Sequence, residues 1–164
     1  MKGKQNMNGV SLVSGTFTLG IAAACCLVIS GCIYDVPITS QATRKVDARL
    51  LGNWTSEDGK NKLKVVKLDD SNYIVLCDGD LYRAYHSDVA DTPFISVQKL
   101  EADKPQYAYW TWKLSDDSTL SLRNVNDKLV PDDTKDSASV QKLLKKSLQN
   151  PALFGDETQM TKDK

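Results

Sequence analysis

The sequence predicts a mainly β domain, an antiparallel meander that forms a small barrel or a strongly curved sheet, followed by one C-terminal α-helix. Three observations lead there. Short runs rich in β-branched and aromatic residues recur roughly every ten residues between positions 50 and 125, separated by clusters of Asp, Gly, Asn, Ser and Pro. Residues 106–114 alternate strictly between two faces, with Ala108, Trp110, Trp112 and Leu114 on one and Tyr107, Tyr109, Thr111 and Lys113 on the other. After Pro131 the apolar spacing changes to that of a helix. With 164 residues, 21 basic against 21 acidic side chains, 41% hydrophobic and 26% charged residues, the chain has the composition of one globular domain. That balance excludes a disordered chain and a multi-spanning membrane protein. Zero net charge argues against a general nucleic-acid binder, whose affinity rests on neutralising phosphates.

The elements follow in order. A strand over 50–56 leads through Glu57, Asp58 and Gly59 into a second over 63–68, where Leu63 and Val65 face one way and Lys64 and Lys67 are left to water. Asp69 to Asn72 turn the chain into 73–77. Asp78-Gly79 is the strongest hairpin signal, because two-residue hairpin loops need backbone with positive φ, and it leads into 81–86. Asp88, Asp91 and Pro93 break the chain before 94–100, and 102–105 break it again before 106–114, whose tryptophans point inward. Asp116-Asp117 turn it into 119–125, with Leu120 and Leu122 on the apolar side. Val140, Leu143, Leu144 and Leu148 define a helix over 137–149, with Lys142, Lys145 and Lys146 outside, Asp136 or Ser137 as its cap and Asn150-Pro151 as its stop. Residues 158–161 read as a returning edge strand.

The N-terminus carries a different message. Lys2 and Lys4 precede an acid-free apolar or small-residue stretch over 10–31, the pattern of an export signal. Its end, Ile29-Ser30-Gly31-Cys32, resembles the lipobox of bacterial lipoproteins: an aliphatic residue, two small residues and the cysteine that is lipidated. The resemblance implies that residues 1–31 are removed as a signal peptide and that Cys32 carries covalent acyl chains of the palmitate kind, the anchor to the membrane. It also implies an outer-membrane location facing the periplasm, because Ile33 is not the aspartate associated with inner-membrane retention. Two other readings stay open. The stretch is long enough for an uncleaved signal anchor, although Ser11, Ser14, Gly15, Thr16 and Thr18 weaken its first half. Cys25 or Cys26 is the other candidate, but Ala22 stands where Cys25 would need a large aliphatic residue. Residues 32–47 show no sustained period and read as a lipidated tether, leaving 48–164 as the single domain. Cleavage would leave Cys77 with no disulfide partner in the mature monomer. A retained leader would permit a bridge to Cys32.

Gly52-Asn53-Trp54 at the first strand, the meander order and the late helix together resemble the small lipocalin-like (calycin) barrels. There a Gly-x-Trp element opens the first strand, its tryptophan closes the barrel floor and a helix packs outside the sheet. The resemblance implies an interior ligand cup. Two features depart from it: the strands are short, and one remaining cysteine cannot form the disulfide common in secreted members. An open sheet or a small sandwich with the helix across one face stays open beside the barrel.

The inventory of reactive groups is thin, so no enzyme is expected. His86 is the one histidine. Its neighbours Ser87 and Asp88 alternate faces along a strand, so the three do not form a triad, and His86 reads as a strand-end residue near water. Cys77 and His86 are too few for a zinc site, and none of the calcium-loop, phosphate-loop or Gly-x-Ser-x-Gly spacings occurs. The doublets Asp69-Asp70, Asp116-Asp117 and Asp132-Asp133 fall at turns, where carboxylates bond backbone amides. The expectation is therefore no metal and no cofactor apart from the lipid on Cys32. Candidate binding residues are aromatic. Trp54, Trp110 and Trp112 would line an apolar cavity if the domain carries or senses a small apolar, lipid-like ligand. Tyr107 and Tyr109, on the outer face, would meet an envelope protein if it is a non-catalytic interaction module. The short strands favour the second.

Overall fold

Eight strands hydrogen-bond in chain order and the last pairs with the first, closing an antiparallel barrel in the computed structural model, which describes residues 33–164. The expected signal peptide, residues 1–31, and the cysteines at 25, 26 and 32 lie outside the described residues. The strands are β1 Gly52–Ser56, β2 Lys62–Lys67, β3 Tyr73–Cys77, β4 Asp80–His86, β5 Ile95–Lys99, β6 Gln106–Leu114, β7 Thr119–Asn124 and β8 Thr158–Lys162. Among the described residues a single α-helix, α1 Ser137–Ser147, lies in the long connection between β7 and β8. Among the described residues no helix is long and apolar enough to cross a membrane.

Local chemistry accounts for most of these boundaries. Asp78 and Gly79 take φ of 49° and 94°, the two positive values that a two-residue hairpin between Cys77 and Asp80 demands. The turn aspartates bond to amides as expected: Asp69 accepts from the backbone of Ser71 and Asn72, and Asp116 from that of Ser118. Asp136 caps α1 by accepting from the Ser139 amide at 2.8 Å. The helix stops two residues before the expected 149, and Asn150 then caps a short 3-10 turn, Pro151–Leu153.

Alternation sorts the side chains into two cores. Inside the barrel pack Trp54, Leu63, Val65, Tyr73, Val75, Ala84, Ile95, Trp110, Leu120, Leu122 and Met160. Outside β5 and β6, a second core joins Tyr107 and Tyr109 to Phe94, Val125, Val130 and the helix residues Val140 and Leu144. Two expectations change here. Residues 158–161 are no edge strand: β8 pairs with β7 through Leu120↔Met160 and with β1 through Ser56↔Met160, so it removes both edges. The segment expected as a tether is part of the folded body. Tyr34 is 1% exposed and Ile38 fully buried. Tyr34 exchanges both backbone hydrogen bonds with Tyr107, at 2.8 and 2.9 Å, extending the ladder of β6 beyond the point where β7 stops. From there the segment crosses the outside of the barrel, with Thr43 bonded to His86 and Val46 to Asp70. The short 3-10 turn Ala48–Leu50 then leads into β1.

Candidate functional site

Of the three inward tryptophans proposed for a ligand cup, Trp110 and Trp112 line an interior cavity and Trp54 does not, and the cavity leaves little room. Trp54 is fully buried, its indole N–H donating to the Leu50 carbonyl at 2.9 Å, and the Lys162 ammonium lies 5.2 Å from its ring. Trp110 and Trp112 line a wholly apolar cavity together with Leu63, Val75, Val97 and Leu122, and its volume is about 50 Å³. Small-molecule sites are roughly 300–1,000 Å³. The Trp110 Nε1 is buried with no hydrogen-bond partner.

The outward tyrosines are not available to a partner. Tyr109 is 1% exposed, and its ring stacks on Tyr34 with centroids 3.8 Å apart. Its hydroxyl donates to the Val36 carbonyl, and burial pushes its pKa far above the ordinary phenol value. Tyr107 is likewise buried, against the backbone of Tyr34. The expectation that Tyr107 and Tyr109 present an outer binding surface is thus corrected: the segment 33–46 and α1 already occupy that face. Ser137 and Gln141 of α1 donate to the carbonyls of Pro37 and Ile38, so the segment is held between helix and barrel.

A different face is left uncovered. Val66 and Ile74 are register partners on the outside of β2 and β3, and Leu76 partners Leu81 across β3 and β4. Val66, Leu76 and Leu81 are each more than a third exposed, and Leu68, just after β2, is exposed as well.

His86 also departs from expectation. It is 4% exposed rather than near water, with its ring between Tyr73 and Trp112 in edge-on contacts, 5.7 and 5.2 Å between centroids. The Tyr73 hydroxyl lies 3.0 Å from His86 Nε2 and accepts from the Asp47 amide. Burial, reinforced by the Arg44 charge, lowers the histidine pKa below its ordinary value, while Asp88 and Asp47 act the other way. Ser87 bonds to Ser96 and Thr39, and Asp88 to Arg44, so neither reaches the imidazole as a triad partner would. A cleft of about 150 Å³ beside His86 is lined by Arg44, Asp47 and Arg49. Both arginines are already paired, Arg44 with Asp88 and Arg49 with Asp47. Among the described residues no three His, Cys, Asp or Glu side chains are grouped to hold a metal.

Sequence reasoning missed the docked segment and the uncovered face. The first had a signal: Tyr34, Val36 and Ile38 alternate as strand residues do, but Pro37 and the surrounding polar residues hid the period. Compared with protein-family models, curated proteins and solved structures, the chain matches none.

Proposed function

We propose that this chain is a cell-envelope lipoprotein, held by acyl chains on Cys32, whose lipocalin-like barrel serves as a non-catalytic protein-interaction module. The observation that carries this reading is the contrast between a nearly filled interior, with about 50 Å³ of apolar cavity, and an outer face with Val66 and Leu76 exposed. A carrier needs the opposite arrangement, a roomy interior and no requirement for an apolar exterior. The absence of aspartate after Cys32 supports an outer-membrane site facing the periplasm, and the partner is then another envelope protein.

Native mass spectrometry of the protein gently extracted from its own envelope tests the proposal. The expected result is a co-purifying protein that is lost when Val66→Lys and Leu76→Lys are introduced together. An added mass of a few hundred daltons, released on denaturation and insensitive to those changes, would establish the carrier instead. The same spectra test the anchor: acyl mass should be present on the wild-type protein and absent from Cys32→Ser.

A further inference from the structure

The antiparallel meander puts the connections 57–61, 78–79 and 100–105 at one end of the barrel, where the long connection 125–157 also leaves and re-enters the sheet, and 68–72, 87–94 and 115–118 at the other. The first described residue, Ile33, belongs to the first end. It is 58% exposed and lies over a cleft of about 200 Å³ formed with Tyr82, Val97, Lys99 and Gln106. Two leucines share that end. Leu81, at the start of β4, is 36% exposed, and Leu100, just after β5, is 45% exposed and donates its amide to the Leu81 carbonyl. Of the nearby charges, Lys99 bonds Asp80 at 2.8 Å and Lys60 lies 3.4 Å from Asp58, while Glu57, Glu101, Asp103 and Lys104 are exposed.

We infer that this end of the barrel rests directly on the lipid bilayer, with Ile33, Leu81 and Leu100 at the level of the headgroups. The inference builds on the lipid anchor proposed above and adds a fixed orientation to it. Tyr34 is locked to β6 by two backbone hydrogen bonds, so only Ile33 separates the ladder from Cys32. Two Cα–Cα steps span at most about 7.6 Å. The headgroup layer of one leaflet is roughly 5–7 Å thick. A Cys32 whose acyl chains are buried therefore brings the Tyr34 backbone to the membrane surface, and the rim that carries Ile33 comes with it. A domain on a flexible tether would be free to tumble, whereas this one is not. The exposed leucines at that rim are then partly withdrawn from water, and the opposite end, with Leu68 53% exposed, points into the aqueous space.

The experiment uses the full-length protein, purified with its lipid and reconstituted in vesicles of phosphatidylethanolamine and phosphatidylglycerol. Nitroxide labels are placed singly through Leu81→Cys, Leu100→Cys and Leu68→Cys; Cys77, 1% exposed, stays in place and its lack of label is checked by mass. All three positions are exposed, so the fold tolerates the substitutions. Labels at 81 and 100 should collide severalfold more with oxygen, relative to a water-soluble nickel chelate, than the label at 68. If all three behave alike on a protein that carries acyl mass at Cys32, the orientation is overturned and the anchor stands. If Cys32 carries no acyl mass, the anchor itself falls and the orientation with it.

Discussion

Gly52 and His86 show how single residues hold the barrel together. Gly52 has φ of 135°, outside the range of L side chains, and a Cβ there would stand 2.8 Å from Lys162 Cε. That lysine donates to the Arg49 carbonyl while lying over Trp54, so the glycine, the tryptophan and the lysine form one close-packed unit. Gly52→Ala should therefore lower unfolding stability by about 1–3 kcal/mol, read from urea denaturation. His86 makes stability depend on pH in a predictable direction. Its folded pKa lies below the ordinary 6.5, so as pH falls the unfolded chain binds the proton first. The contribution is present above about pH 6.5, is lost as pH falls toward the folded pKa, and levels off below it. Turn carboxylates such as Asp69 and Asp116 are also lowered, from 3.8, and titrate below this window. Urea midpoints between pH 7.5 and 5 should decline in the wild type and stay flat in His86→Gln. A flat wild-type profile would remove His86 as the cause.

At the scale of elements, turn chemistry and periodicity made the strands and the helix readable because both act within a few residues. Asp-Gly needs no distant contact to favour a hairpin, and alternation in β6 alone sends Trp110 inward and Tyr109 outward. The docked segment was not readable in the same way. Residues 33–46 form almost no regular structure of their own; they are ordered by Tyr107, Ser96 and His86 of the barrel and by Ser137 and Gln141 of α1. Tyr34 stacks on Tyr109 and donates its hydroxyl to Val130 at 3.0 Å, so Tyr34→Ala should cost about 3–5 kcal/mol, the range for deleting a large buried aromatic. It should also expose Tyr109, raising its intrinsic fluorescence quenching by iodide. An unchanged denaturation midpoint would mean that the segment adds little to the fold.

For the molecule as a whole, closure by β8 is the decisive feature. Its partners β1 and β7 lie about a hundred and about forty residues away in sequence, and each would become a free edge without it. A chain ending at Gly155 should lose cooperative unfolding and self-associate, which light scattering would detect; a monomeric, cooperatively unfolding product would show that the open sheet is stable. The alternating runs, the turns and the helix were all legible in the sequence, because each is a pattern over neighbouring residues. Whether the strands closed, whether the aromatic interior stayed hollow, and which outer face was covered depended on contacts between residues far apart in the chain. Tyr107 and Tyr109 illustrate the division. Their outward direction followed from a period of two, but their burial followed from Tyr34 arriving over seventy residues away, and no local pattern in β6 records what will pack against it.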